Sequence, residues 1–160
     1  MVKIKRVKIA SYDLITELLA DIRKPDLKEL YMSSVDPFSA VFDSIENSEL
    51  CYSVRDAENH LLAVFGLGSV QIDIDGTKAT PIWFLGTNRA YQHNRAMVYY
   101  GKQFSNEFIK KADGPLCNFI WCGNEPAIRY IQHLGATLLD VVPMGRNGEM
   151  FVPFVLSEVK

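Results

Sequence analysis

The side chains best equipped for chemistry gather in the second half of this 160-residue chain. Cys122 ends the apolar run Asn118-Phe-Ile-Trp-Cys122, at the C-terminal end of a strand, where α/β sheets place their ligands. A thiol there could serve as a nucleophile, but it needs a base, and none of His60, His93 or His133 is near it in sequence. Those histidines show no metal-ligand spacing either. Directly after Cys122, Asn124 offers an amide and Tyr130 a hydroxyl on one short helical stretch. Such groups can position a substrate or move a proton. Tyr130 reads more readily as a half-buried aromatic with a satisfied hydroxyl. Asp73 and Asp75 are the nearest carboxylates to the strand at 80–85 and read as turn residues. Arg89, His93 and Arg95 crowd the start of the longest helix, as the solvated end of an amphipathic element.

The elements that must carry these groups follow from periodicity. Residues 2–9 alternate as an edge strand. Its basic positions Lys3, Lys5, Arg6 and Lys8 form a wet face rather than a nucleic-acid arm. Ser11 caps a helix through about Arg23, Pro25 opens a second to about Met32, and Asp36-Pro37 opens a third through Ile45. The period then changes to two. Leu50–Arg55 and Leu61–Ile74 read as strands around the turn at 56–59, and Asp75-Gly76 is a hairpin turn before the strand Thr80–Leu85. Residues 91–112 form the longest helix, stopped at Asp113-Gly-Pro115. Leu116–Cys122 is almost wholly apolar, as in a central strand covered on both faces. A helix at 125–134 follows, and two strands at about 137–142 and 149–156 close the chain around the turn 145–148. The expectation is one mixed α/β domain over residues 1–160, with a parallel βαβ unit built from 80–122.

Hydrophobic content of 48% supports a full core, and a net charge of −2 supplies no field toward nucleic acid or an anionic membrane. No apolar run approaches the roughly 18 residues that span a bilayer, and residues 1–20 lack a secretory leader pattern. Cys51, Cys117 and Cys122 include no Cys-x-x-Cys pair. They read as reduced thiols, with Cys117 and Cys122 on opposite faces of their strand.

The order of elements, and the run Asn124-Glu-Pro-Ala127-Ile-Arg-Tyr130-Ile131-Gln-His-Leu134-Gly135, resembles the GNAT superfamily of acyl-CoA-dependent N-acyltransferases. The resemblance implies a GNAT-like, mostly antiparallel sheet with a central parallel pair and flanking helices. It implies acetyl-CoA as cofactor, held by Leu85, Thr87, Gln92, Asn94, Arg95 and Ala96, with Asn124 and Tyr130 at the catalytic end. A second resemblance, over the run from Trp83 through Gly135 and strongest over Asn118–Asn124 with Ile128-Arg129, is to the small internal virion proteins of lytic short-tailed phages. It implies a role in virion assembly, contact with other virion proteins, and residence in the host cytoplasm or the virion.

Three positions depart from the acyltransferase pattern. Arg95 and Met97 replace the glycines of the phosphate loop, although Arg95 could pair with a phosphate directly. Ile131 stands where the family's tyrosine acid stands, one residue or about 100° of helix from Tyr130. The strand at 80–85 holds no carboxylate base, and only Asp73 and Asp75 precede it. Trp83 and Trp121 fall on the two strands that admit the cofactor, where they either line a pocket or fill it; we expect filling. Two functional expectations follow: a degenerate acetyltransferase acting by contact in virion assembly, or an active N-acetyltransferase of an amine.

Overall fold

The computed structural model describes residues 1–34 and 36–158. Among them, nine strands form one sheet: β1 (Lys3–Arg6), β2 (Ser48–Arg55), β3 (Leu61–Gly68), β4 (Ile72–Ile74), β5 (Thr77–Gly86), β6 (Leu116–Trp121), β7 (Thr137–Leu138), β8 (Val142–Pro143) and β9 (Met150–Leu156). The strand order is β1-β2-β3-β5-β6-β9-β7, with β4 paired to β5 and β8 to β9. Every pairing is antiparallel except β5–β6.

Helices α1 (Tyr12–Ala20), α2 (Lys24–Ser33) and α3 (Pro37–Glu46) lie on one face. There Ile15, Leu18 and Val41, all fully buried, pack with Cys51, Val64 and Leu85. Ser11 caps α1 by accepting from the Leu14 amide, and Asp36 caps α3 by accepting from Phe38. Helices α4 (Asn94–Ala112) and α5 (Glu125–His133) cover the other face, where Phe108, Ile131 and Leu134 meet Leu67, Leu116, Ile120 and Phe154. Cys117 and Cys122 fall in separate hydrophobic clusters, as their five-residue spacing requires.

β1 and α1 are shorter than the sequence reading, and three further boundaries differ from it. Leu61–Ile74 is two strands, because Pro81 has no N–H to continue the β3–β5 ladder beyond Leu67↔Ile82. The chain turns away at Ser69, whose hydroxyl donates to Asn47 O, and β4 pairs with the start of β5 across Asp75-Gly76, both at positive φ. The expected strand at 137–142 is likewise split. Leu139 N–H reaches Pro153 O at 2.8 Å, but Pro153 has no N–H to return. Finally, α4 begins at Asn94, and residues Asn88–His93 before it form a 3₁₀ helix.

Gly135 ends α5 at φ +99°, with its N–H on Gln132 O and the Ala136 N–H on Ile131 O. Gly135→Val should therefore cost about 1–2 kcal/mol, since a β-branched residue is strained there. Thermal unfolding should show a Tm lower by several degrees; an unchanged Tm would mean that the helix does not depend on this stop.

Candidate active site

The two parallel strands part almost as soon as they meet. β5 and β6 pair only at Thr80↔Leu116 and Pro81↔Cys117, yet β5 runs on to Gly86 and β6 to Trp121. Asn118 bridges the point of divergence: its side-chain amide donates to Ile82 O, and its Oδ1 accepts from Phe119 N at 2.8 Å. Beyond it the sheet has an opening. A cavity of about 310 Å³ passes there, lined by α4 and α5 on one side (Met97, Gly101, Tyr130, Ile131) and by α2 and α3 on the other (Glu29, Ser33, Ser44).

The expectation that indoles fill this space is corrected. Trp83 lines the wall, drawn toward β2 by a 2.8 Å bond from Nε1 to Ser48 Oγ. Gly66 makes room for that pose, since a Cβ there would sit 2.6 Å from the indole nitrogen. The Trp121 ring packs over Gly123 instead of entering the opening.

The first turns of α2 close one end of the opening with charge. Thr87 N–H points to β3, bonding Leu62 O, so by alternation Gly86 N–H points away from β3. Asp26, only 2% exposed, takes that N–H on Oδ2 at 2.9 Å. The same carboxylate accepts from Arg23 Nε at 2.9 Å and from Asn124 Nδ2 at 2.9 Å. Arg23 is itself buried, with its guanidinium 5.5 Å from the ring centroids of Phe84 and Tyr91. One helical turn further, Glu29 borders the cavity. Its Oε1 accepts from Trp121 N at 2.8 Å and from Asn124 Nδ2 at 3.4 Å. Burial pushes the Glu29 carboxyl up to about 7, against the Trp121 N–H bond and with the neighbouring Asp26 charge adding to the rise. A carboxyl held near neutrality beside a cavity is suited to general-base work.

The anticipated residues divide between site and scaffold. Leu85 and Tyr130 border the cavity with Asn124. Asn124, 1% exposed, caps α5 through Ala127 N and spends its amide on both carboxylates, so it positions Asp26 and Glu29. The Tyr130 hydroxyl donates to Met97 O at 2.7 Å and its ring lies tilted against Phe84, centroids 5.2 Å apart, while burial raises its pKa. Thr87 Oγ1 donates to Leu61 O and Leu62 O, a structural joint below the opening. Gln92, Asn94 and Arg95 are exposed where the 3₁₀ turn becomes α4, and Ala96 is half-buried beside them. Met97 faces inward, so its side chain does not cover the end of α4. Asp73, expected in the turn, lies on β4 opposite Lys78, and its carboxylate accepts from Gly76 N of the turn.

Sequence reasoning missed Asp26 and Glu29. Their spacing with Ser33 puts all three on one face of α2, a face that also carries Leu30. That pattern was readable, but nothing local said that the face meets the gap between two strands whose contacts with it lie 60 and 92 residues along the chain. Among the described residues, all three cysteines are free and no three His, Cys, Asp or Glu side chains are placed to hold a metal ion. Burial pushes Cys51 up to about 12 and Cys117 up to about 11, as expected of inert core thiols. No helix of the described residues is long and apolar enough to cross a membrane.

No protein-family model matches the chain, and neither does any curated protein sequence. Solved structures do match over the whole length. The ribosomal-protein-S18-alanine N-acetyltransferase of Escherichia coli superposes with a TM-score of 0.61 at 14% identity, covering 100% of this chain and 96% of that one. A Bacillus subtilis acetyltransferase in complex with CoA gives 0.59 at 14%, covering 99% and 100%. An acetyltransferase of the GNAT family from Streptococcus pneumoniae gives 0.60 at 10%, covering 99% of each. The chain has the GNAT N-acetyltransferase fold. None of these three is a virion protein.

Proposed function

We propose that this chain is an acyl-CoA-dependent N-acyltransferase acting on an amine, with Glu29 as general base. The carrying observation is the Glu29 carboxyl, raised to about 7, on the wall of a cavity that passes between parted strands. The cavity is of ligand size, at the lower end of the roughly 300–1,000 Å³ typical of small-molecule sites. A likeness to a structure that contains CoA supports the same ligand.

The residues present fit such a donor. Leu85 and Tyr130 would flank its acyl arm, and Phe84, also on the cavity wall, offers a strand edge opened by the splay. Gln92, Asn94, Arg95 and Ala96 lie at the start of α4, which has no side-chain cap; exposed Arg95 supplies the positive charge for a phosphate there. Arg95 thus replaces by charge what glycines would supply by backbone approach. Bound acyl-CoA supplies a thioester carbonyl; attack by the amine nitrogen forms the N–C bond, breaks the C–S bond and releases the CoA thiolate. Glu29 takes the proton from the incoming ammonium on the α2 side, where Ser33 and Ser44 also face the cavity. The Trp121 N–H and the Asn124 amide, itself anchored on Asp26, hold that carboxylate in place. Solvent returns the proton to the thiolate.

A virion-assembly role draws on the resemblance that is strongest over 118–129 and on the three departures from the acyltransferase pattern. The structure accounts for much of that stretch internally: Asn118 bridges β5 and β6, Trp121 N–H holds Glu29, and Asn124 caps α5. The open cavity favours the enzyme.

Titration calorimetry with acetyl-CoA tests the proposal. Binding in the micromolar range is expected, weakened on the order of tenfold by Arg95→Glu, which turns an attraction for phosphate into repulsion. No heat at millimolar acetyl-CoA, nor with longer acyl-CoAs, would reject the enzyme and leave the contact role standing.

A further inference from the structure

The cavity is larger on one side than an acetyl group needs. It follows α4 from Met97 to Phe108, a distance of about 16 Å at 1.5 Å per residue. Its carboxylate and amide groups, Glu29, Asn118 and Asn124, with Ser33 and Ser44, belong to the opening and to the α2 side, and α4 and α5 add only the hydroxyls of Tyr100, Ser105 and Tyr130. The far recess between α4 and the sheet is lined by Phe65, Phe104, Phe108, Ile120, Leu134 and Phe154. The total volume of about 310 Å³ is twice the roughly 150 Å³ that accommodates a six-carbon ring in an engineered apolar cavity.

Building on the acyltransferase reading, we propose that the donor carries a medium-length linear acyl chain, of roughly six carbons, whose tail occupies this phenyl-lined recess. Two other occupants fit less well. The amide-bearing arm of CoA would leave buried N–H and C=O groups unpaired among phenyl rings, at a cost of a few kcal/mol each. An alkyl tail on the acceptor would start from the wrong side, since its amine must reach Glu29 on the α2 face while the recess lies beneath α4. A hydrocarbon tail on the donor meets neither objection.

A series of acetyl-, butyryl- and hexanoyl-CoA, titrated into the wild-type protein and assayed with one amine, reads the proposal. Affinity should rise about fourfold per buried methylene, the equivalent of about 0.8 kcal/mol each, giving on the order of 10²-fold from acetyl to hexanoyl. Equal or tighter binding of acetyl-CoA would overturn the chain-length assignment and leave the acyltransferase standing. Failure of every acyl-CoA to bind would overturn both. Ser105, buried on the cavity wall, provides the second measurement. Ser105→Leu fills the recess and should weaken hexanoyl-CoA more than acetyl-CoA; equal weakening of the two would place the tail elsewhere. Should that variant fail to fold, the wild-type series still decides.

Discussion

Glu29→Gln is expected to make the protein more stable at pH 8 and nearly inactive. The glutamine carbonyl can still accept from Trp121 N and Asn124 Nδ2, the bonds that orient Glu29. What disappears is a carboxyl that binds its proton more tightly in the folded state, near 7, than in the unfolded chain, near 4.5. Below pH 4.5 it is protonated in both states and costs nothing. Between 4.5 and 7 the folded state binds more protons, so stability falls as pH rises, and above 7 the whole penalty is present. Removing it should raise stability at pH 8 by up to about 3 kcal/mol, with no difference near pH 4. Loss of the base should lower kcat/KM by about 10²–10⁴-fold. Wild-type kcat/KM should rise with pH to a plateau just above 7. Chemical unfolding at both pH values and a pH–rate profile check this. Full activity in the variant would remove Glu29 from the chemistry.

Asp26→Ala should be the most damaging single substitution in the buried network. It leaves Arg23, 7% exposed, without its counter-charge and Gly86 N–H without its acceptor. Stranding a buried charge costs about 3–5 kcal/mol. Denaturant unfolding should show that loss; a change below about 1 kcal/mol would mean that solvent reaches Arg23. Asp26→Asn keeps the shape and removes the charge. Because the Asp26 charge helps to raise the Glu29 carboxyl, this variant should move the acidic limb of the pH–rate profile downward. A purely structural role would leave the limb in place.

Much of the fold was readable because its determinants are local. Ser11, Asp36 and Asn124 accept amide hydrogens at helix starts within three residues of themselves. Asp75-Gly76 and Gly135 adopt positive φ through their own backbone preferences. Periodicity placed every helix and most strands. The misread strand at 61–74 depended on Pro81, a residue in a different strand.

The site divides along the same line. The sequence by itself determined a GNAT-like order of elements, the helix cap at Asn124 and an arginine where a phosphate loop has glycine. It also determined that no carboxylate stands on β5. Only the tertiary structure brings the Glu29 carboxylate of α2 to Trp121 N–H at the opening, turns Trp83 aside toward Ser48, and points the Tyr130 hydroxyl at Met97 O. Each of these is a contact between residues at least 33 positions apart. Propensity and spacing act over one or two turns of chain, whereas the Glu29 proton affinity depends on burial beneath β6 and on the charge of Asp26. Those exist only once α2 has docked against the gap between β5 and β6.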